Sequence, residues 1–296
     1  MLDEQKLLDS LQGVSDTEYQ RFKAFLEAHT MKYLEWHNVT IPYYHCGEGP
    51  RTILIFAGGW GGPQLVFETI LGFERRNRML VIDVSDFDNP EDLTQAANSV
   101  LDREQVERVI LMGQSASGIT AQVYFKRNPE RVEGMVLTNT LAPRPERSKN
   151  WALWLLQVLP FSLLKSMAKK KLTKLGEFEQ KIPAEVQERR RFAGALLAAM
   201  MDHYITRYKT LNMLKLAFAF NEQVQYGSGD LADWQGRALI ITSEDDPYFK
   251  DVALLEAGIP NSEVFKLPTG YKHLAPQILR DEFHARIQSF IDELDH

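Results

Sequence analysis

The feature of the sequence that most constrains its fold is a series of short, nearly continuous apolar runs. Runs of this kind are typical of strands buried on both faces of a parallel sheet. Helical patterns such as QLVFETILGFER and PEDLTQAANSVLD separate most of the runs, so strand and helix alternate along the chain. The alternation predicts an α/β protein whose mostly parallel sheet is covered by helices. The runs are RTILIFAGG (51–59), RMLVIDVS (78–85), ERVILMG (107–113), VEGMVLTNT (132–140), GRALIITS (236–243) and SEVFKLP (262–268).

The alternation is interrupted once, by a long segment with helical patterns only. This segment is basic, with 15 Lys and Arg against 8 Asp and Glu over residues 141–230, although the whole chain has a net charge of −6. Before the first strands, SDTE at Ser15 is a capping-box pattern that predicts an additional helix. We therefore expect three parts: an N-terminal helical extension (1–32), an α/β core (33–141 and 234–296) and an inserted helical cap, or lid (142–233).

Composition excludes several classes of protein. With 44% hydrophobic residues in 296, the chain can bury a large core. Its pI near 5.7 gives no general attraction to nucleic acid. Cys46 is the single cysteine, so neither an internal disulfide nor a zinc site made of cysteines alone is possible. The acidic N-terminus lacks a secretory pattern and no run of 18 apolar residues occurs. We expect a soluble, cytoplasmic protein; oligomeric state is not indicated.

The stretch ILMGQSASGIT (110–120) places Ser115 directly after a buried run, between small residues. A strand followed by Gly-x-Ser-x-small and then a helix is the layout of a nucleophile elbow, a tight turn that exposes the serine hydroxyl at the end of a sheet. Gly113 and Ser117 occupy the positions where bulk would collide with the neighbouring backbone. The alternative interpretation is an ordinary helix start, with Ser115 or Ser117 as the N-cap.

A serine hydroxyl becomes a useful nucleophile only when a base accepts its proton and a third group orients that base. Of seven histidines, only His273, in LPTGYKHLAP, follows a late strand through a glycine-containing loop. The acid should follow the preceding strand, where ALIITSEDDPYF supplies Asp246, three residues beyond Ser243, and Asp245 as a second choice.

The remaining requirement of such a site is an oxyanion hole, a pair of N–H donors for charge that develops in the transition state. The amide of Ala116, directly after Ser115, is one candidate donor. The loop FAGGWGGP, after the first of the six apolar runs, is the candidate source of the other, because its glycines allow close backbone approach.

Over roughly residues 33–295 the chain resembles the α/β-hydrolase superfamily. The features that carry the resemblance are the order of Ser115, Asp246 and His273 along the chain, the AGGWGG loop and the cap between strands. The resemblance implies an eight-stranded, mostly parallel sheet, a Ser–Asp–His triad and a mobile helical lid. It also implies Gly59 as the loop donor, with Trp60 as the fallback. Ala57 and Ser117 depart from the histidine and the second glycine that many members have there. The stretches LIFAGGWGGPQLVF and NTLAPRPERSKNWALWLLQVLPFSLLKSMA further resemble the maspardin-like branch, some members of which lack a full triad.

These observations predict a serine esterase that hydrolyses a small, largely apolar substrate through an acyl-enzyme, without a metal or an organic cofactor. A lactonase or a carbon–carbon bond hydrolase would use the same residues, whereas a dehalogenase needs a carboxylate at position 115. Two other interpretations stay open: a catalytically silent binding or scaffold protein, and a cap whose lysines contact a membrane surface. The candidate substrate-binding residues are Trp60, Trp151, Trp154 and Tyr204. Most of the large apolar cap residues are nevertheless interpreted as cap core, and this set is Trp151, Trp154, Phe161, Met200, Met201, Tyr204 and Phe220.

Overall fold

The computed structural model describes residues 2–58, 61–147, 150–175, 181–226, 231 and 233–295. Its centre is an eight-stranded sheet in the order β1-β2-β4-β3-β5-β6-β7-β8. The first two strands pair antiparallel, and the other six run parallel to one another. The strands are β1 (Lys32–Trp36), β2 (Val39–Gly47), β3 (Thr52–Ala57), β4 (Arg78–Asp83), β5 (Val109–Gln114), β6 (Val132–Thr138), β7 (Arg237–Ser243) and β8 (Ser262–Leu267).

All six predicted parallel strands are confirmed, and the reason is visible in how they are buried. Every residue of β3 is buried. Leu54 and Phe56 belong to the apolar cluster on one face of the sheet, and Ile53 and Ile55 belong to the cluster on the other. Since successive strand residues point to opposite faces, a strand covered on both sides is apolar at nearly every position; in β3 only the first residue, Thr52, is polar.

Helices cover both faces of the sheet. Where two parallel strands follow each other in sequence, the connection must cross over the sheet, and a helix is the usual form of that crossover. The helices are α1 (Glu4–Leu11), α2 (Asp16–Ala28), α3 (Phe67–Phe73), α4 (Pro90–Arg103), α5 (Ala116–Arg127), α6 (Asn150–Val158), α7 (Phe161–Leu175), α8 (Ala184–His203), α9 (Arg207–Gln223), α10 (Val252–Gly258), α11 (Ala275–Ile278) and α12 (Arg280–Asp292).

Helices α6 to α9 lie between β6 and β7 and form what we call the cap segment. The interiors of α8 and α9 are apolar: Met200, Met201 and Phe220 are fully buried, as expected of cap core. By contrast, some apolar side chains of α6 and α7 are exposed. Trp154 of α6 has 60% of its surface exposed, and Met167 of α7 is also exposed. No helix in the described ranges combines the length and apolar character needed to cross a lipid bilayer.

The N-terminal helices contact both the core and the cap segment. Ser15 caps α2 as predicted, its hydroxyl accepting a hydrogen bond from the Glu18 N–H at 3.4 Å. Phe22 of α2 packs edge-on against Phe67 of α3, with ring centroids 5.0 Å apart, and lies 5.9 Å from the ring of Phe192 on α8. The extension is therefore packed between the sheet and the cap segment.

Candidate active site

The turn between β5 and α5 holds Ser115 in a strained conformation. Its backbone has φ 53° and ψ −119°, a region that non-glycine residues rarely occupy because of steric repulsion. Strain of this kind costs about 1–3 kcal/mol and persists only where surrounding contacts enforce it. Here the Ser115 N–H donates to Thr138 O at 3.0 Å, and the Thr140 hydroxyl donates to Ser115 O at 2.7 Å. The end of β6 thus fixes the turn.

The small residues around Ser115 are required by close backbone contacts. A Cβ at Gly113 would lie 2.6 Å from the Gly118 Cα, so only glycine fits. Ser117 fits where a second glycine is common, and its hydroxyl accepts from the Gln114 N–H at 2.8 Å and donates to Gln114 O at 3.0 Å. This departure from the family pattern closes the turn with two hydrogen bonds.

The interpretation of this stretch as an ordinary capped helix start is wrong. The Ser115 side chain makes no cap hydrogen bond to the first turn of α5, and a capping residue adopts an extended backbone, not a positive φ. The Ser117 hydroxyl bonds to Gln114, on the strand side of the turn. Ser115 therefore occupies its strained position for a reason other than helix capping.

His273 lies in a short turn after β8, and its ring is held from one side. Its Nδ1 lies 2.6 Å from Oδ2 of Asp246, and since a carboxylate only accepts, Nδ1 is the donor. Nε2, on the far side of the ring, takes no part in this contact. The Tyr248 ring packs edge-on against the imidazole at 5.5 Å, and the Asp246 side chain is fully buried.

The two neighbouring aspartates after β7 have different partners. Asp246 Oδ1 accepts from the Tyr248 N–H at 2.7 Å, which aims its other oxygen at His273. Asp245 instead accepts from the Ser243 hydroxyl at 2.5 Å and from the backbone N–H groups of Gly270 and Lys272 at 2.6 and 3.2 Å. Burial would raise the pKa of Asp245, but these hydrogen bonds outweigh it and lower the pKa. Asp245 thus fixes the loop that carries the imidazole.

Ser115 and His273 are brought to the same edge of the sheet but are not directly bonded. Among the described residues, no hydrogen bond joins the Ser115 hydroxyl to the imidazole. Asn139, which follows β6 with φ 43°, connects the two regions: its side chain donates to His273 O at 3.4 Å, and its neighbour Thr138 accepts from Ser115. Serine–histidine contacts in ligand-free enzymes are often long and tighten when substrate binds.

Of the two predicted oxyanion donors, Ala116 lies within the described residues and Gly59 does not. Ala116 is the first residue of the 12-residue helix α5, and N–H groups of a first helical turn have no partner within the helix. Gly59 and Trp60 lie outside the described residues. On either side of them, Gly58 and Gly61 form an isolated backbone bridge, and Gly58 has φ 156°. The loop therefore starts and ends beside the carboxyl end of β3.

Of the predicted substrate-binding residues of the cap segment, the structure describes the side chains of Tyr204 and Trp154. The Tyr204 ring reaches the glycine loop, since a Cβ at Gly62 would lie 3.2 Å from its Cζ. Trp154 is exposed on α6. The side chain of Trp151 is not among those that the structure describes. Tyr204 is thus the one predicted cap residue, among the described side chains, with a contact to the loop after β3.

A polar cluster beside Tyr204 was not predicted from the sequence. Lys209 Nζ donates to the Ser85 hydroxyl at 2.6 Å and to Asp86 Oδ2 at 2.7 Å, and the Tyr204 hydroxyl lies 3.2 Å from Ser85 Oγ. The cluster ties α9 to the loop after β4. More than a hundred residues separate its two halves, so no local sequence signal could have revealed it.

Burial shifts the pKa of two other titratable side chains, Cys46 and His284. Burial, with a smaller effect of the Glu74 charge, raises the pKa of Cys46 to about 12, so this thiol is not a competing nucleophile at neutral pH. The sequence places His284 one position off the apolar stripe of α12, which predicts a solvent-facing side chain, but His284 is half-buried, with its ring centroid 4.8 Å from that of Phe73. The pKa of His284 is lowered to about 4, chiefly by this burial.

The strand order, the helical coverage and the turn after β5 together define the α/β-hydrolase fold, as the sequence predicted. A model of the alpha/beta hydrolase fold family matches residues 72–275, and the chain belongs to that family. A comparison with curated protein sequences finds no match.

Solved structures share this fold at low sequence identity. A hydrolase from Pseudomonas aeruginosa PA01 is 19% identical with a TM-score of 0.69, over 88% of this chain and 98% of that one. The enol-lactonase from Burkholderia xenovorans LB400 is 17% identical with a TM-score of 0.68, over 88% and 100%. Naproxen esterase from Bacillus subtilis is 14% identical with a TM-score of 0.63, over 92% and 96%.

Proposed function

We propose that the protein is a serine hydrolase that cleaves an ester of a small, largely apolar substrate through an acyl-enzyme. The observation that carries this proposal is the backbone of Ser115, held at φ 53° by the end of β6 although its side chain caps nothing. A strained serine at the carboxyl end of a central strand makes sense if its hydroxyl must be exposed for reaction.

In the proposed mechanism, Nε2 of His273 accepts the proton of Ser115 as the serine attacks the substrate carbonyl. Asp246 holds the imidazole in the tautomer that leaves Nε2 free, and stabilises the imidazolium that forms; the 2.6 Å contact to Nδ1 supports both roles. His273 then donates the proton to the leaving alcohol, and water releases the acyl group with His273 again as base. Each proton removed from an oxygen is thereby returned to one.

The negative charge of the tetrahedral intermediate needs donors that are in place before reaction. Ala116 supplies one N–H from the start of α5, and we propose Gly59 as the second, with Trp60 as the alternative. The glycines on either side of that pair support the assignment, because a backbone without side chains can approach a substrate closely.

The proposed substrate class rests on the residues around the loop after β3. We propose that Tyr204 and Trp60 contact the substrate beside the glycine loop, and that Trp151 and Trp154 contribute from α6. Solved relatives in fold include proteins named as esterases and a lactonase, which supports carbonyl hydrolysis as the reaction. A lactone or a carbon–carbon bond alpha to a carbonyl would react by the same steps.

The test is covalent labelling with a fluorophosphonate, which reacts with activated serines, followed by a screen of p-nitrophenyl esters of increasing acyl length. Wild type should be labelled, and Ser115→Ala should lose both labelling and ester hydrolysis. Ser117→Ala is the matched control, because it removes a hydroxyl two residues away without removing the nucleophile. Labelling that persists in Ser115→Ala would contradict the proposal.

A catalytically silent binding protein is the second candidate, favoured by the missing hydrogen bond between Ser115 and His273 among the described residues. The two candidates differ in one result: a silent protein, though folded, is not labelled in wild type and hydrolyses no ester in the series.

Contact of the cap segment with a membrane surface remains a prediction. It is supported by the exposed apolar side chains Trp154, Val158, Leu163 and Met167, spaced four residues apart on each of α6 and α7. Sedimentation with vesicles containing anionic lipid tests it. Binding should weaken with added salt and in Trp154→Ala, and an absence of binding at low salt would contradict it.

A further inference from the structure

Three chemically distinct side chains meet where the N-terminal extension joins the core. His29 is the C-cap residue of α2, Cys46 lies in β2, and Glu74 is the C-cap residue of α3. One nitrogen of His29, the Cys46 sulfur and one oxygen of Glu74 all lie within 4.8 Å of one another, and each residue is half-buried. The proposed acyl transfer makes no use of this cluster.

The His29 ring is held with one nitrogen satisfied and the other aimed at the cluster. Its Nδ1 lies 2.9 Å from Phe25 O, and since a carbonyl only accepts, Nδ1 carries a proton. The ring also stacks on Phe25, with centroids 4.3 Å apart. A histidine that binds a metal through Nε2 usually donates its other N–H to a backbone carbonyl or carboxylate in this way.

The second ring nitrogen of His29, Nε2, faces a carboxylate oxygen of Glu74. Nε2 lies 2.6 Å from Oε2 of Glu74, a distance at which a protonated Nε2 donates a hydrogen bond to the carboxylate. A deprotonated Nε2 and the same oxygen could instead both bind a metal ion. Among the described residues the Glu74 carboxylate has no other hydrogen-bond donor.

A second histidine–glutamate pair in the chain shows what a proton-satisfied pair looks like. His45 Nδ1 lies 2.6 Å from Glu104 Oε2, the same separation. There the carboxylate also accepts from the Tyr43 hydroxyl at 2.6 Å and from Lys32 at 2.9 Å. Donors surround Glu104, and no cysteine belongs to that cluster. The thiol is what distinguishes the cluster at His29.

We propose that His29, Cys46 and Glu74 form a binding site for Zn²⁺, with solvent at the fourth position. A nitrogen, a sulfur and a carboxylate oxygen are the three ligand types that zinc accepts, whereas a shared proton needs no third ligand. Zinc bonds of about 2.0–2.3 Å put tetrahedral ligands roughly 3.2–3.8 Å apart, so the His29–Glu74 contact must open by about 0.7 Å. The longer separations in the cluster, which reach at most 4.8 Å, must close by up to about 1 Å.

The ion would fasten the extension to the core. His29 belongs to the extension, Cys46 belongs to strand β2 of the sheet, and Glu74 directly follows helix α3. The extension in turn contacts the cap segment, through Phe22 against Phe192 and the Ser10 hydroxyl 2.9 Å from His203 Nε2. Zinc binding would therefore stabilise the packing of α1 and α2 between the core and α8.

The experiment is a titration of the full chain, stripped with a chelator, with Co²⁺ as a spectroscopic probe and Zn²⁺ as competitor. We expect one equivalent of Co²⁺ to bind with a thiolate-to-cobalt charge-transfer band, and Zn²⁺ to remove the band and raise the melting temperature. Cys46→Ser, a nearly isosteric change, should abolish the band, and His29→Gln and Glu74→Gln should weaken Zn²⁺ binding by at least about tenfold.

His45→Gln is the matched control, because it disrupts a histidine–glutamate pair of equal length outside the cluster, and it should leave the titration unchanged. Binding without a charge-transfer band, or binding that Cys46→Ser does not alter, would overturn the proposal. No binding at all would overturn it as well, and would assign the 2.6 Å contact to a shared proton. None of these readouts depends on hydrolase activity, so the proposal can fail independently of the proposed function.

Discussion

Asp245 and Asp246 are adjacent in sequence, but replacing them with neutral residues should affect different properties. Replacement of Asp245 should lower the stability of the protein, and replacement of Asp246 should lower its catalytic rate. Asp245 accepts three hydrogen bonds, from the Ser243 hydroxyl and from two N–H groups of the loop that carries His273. At about 1 kcal/mol net for each, Asp245→Ala should destabilise the protein by about 3 kcal/mol. In a chain of this size that corresponds to a decrease in melting temperature of roughly 5–10 °C.

Asp246→Asn should instead reduce catalysis with little effect on stability. The amide preserves the shape of the side chain and can still accept from Tyr248 N–H, but it no longer enforces the useful tautomer of His273. A loss of about 10³–10⁴-fold in kcat is expected for such a change. Asp245→Ala, by comparison, should retain measurable activity at temperatures where it is folded.

The pH dependence separates the two residues further. Because the pKa of Asp245 is lowered in the folded state, its contribution to stability is present above the ordinary pKa of 3.8 and is lost as pH falls through the folded value. The difference in unfolding free energy between wild type and Asp245→Ala should therefore shrink below about pH 4. The assay is thermal unfolding across pH together with initial rates on the best ester. A stable but inactive Asp245→Ala, paired with an active Asp246→Asn, would refute the assignment.

Three further predictions concern other parts of the chain. Gly118→Ala should cost about 1–3 kcal/mol of stability and reduce fluorophosphonate labelling, because its Cβ would lie 2.4 Å from Thr140 Oγ1; unchanged denaturant unfolding would contradict this. His284→Gln should flatten the stability profile between about pH 6.5 and 4. In that range the unfolded chain binds a proton at His284 while the buried imidazole, whose pKa is lowered to about 4, stays neutral, so wild type loses at most about 2–3 kcal/mol as pH falls; equal slopes in thermal unfolding would show that the ring is solvated. Lys209→Met should cost about 1–2 kcal/mol and expose the cap segment to limited proteolysis, because it removes the contacts to Ser85 and Asp86; an unchanged cleavage pattern would argue against the tether.

Features that depend on local pattern were predictable from the sequence. The parallel strands could be located because burial on both faces leaves an apolar signature in consecutive residues, and the helix at Ser15 because a cap is a local hydrogen bond. The position of Ser115 after β5 followed from the need for small neighbours, which is likewise local. Helix α1 lies inside the predicted helical extension but was not predicted as a separate helix, although Asp3 accepts a capping hydrogen bond from the Lys6 N–H.

Features that depend on contacts between distant segments were not predictable in the same way. Asp245 and Asp246 are the same residue type, and the sequence favoured Asp246 only for its position three residues beyond Ser243. The path of the loop after β8 decides which carboxylate contacts His273. The half-burial of His284 depends on its contact with Phe73, from a helix more than two hundred residues earlier. The cluster of Lys209 with Ser85 arises in the same way from the docking of α9.

The measurement that tests the account most directly is the mass of the protein after reaction with a fluorophosphonate, followed by mapping of the modified peptide. The account predicts a single adduct on Ser115, formed by wild type and strongly slowed in His273→Gln, because the imidazole must accept the proton of the hydroxyl. An adduct on another residue, or labelling of Ser115 at the same rate without the imidazole, would contradict the claim that these two side chains act together.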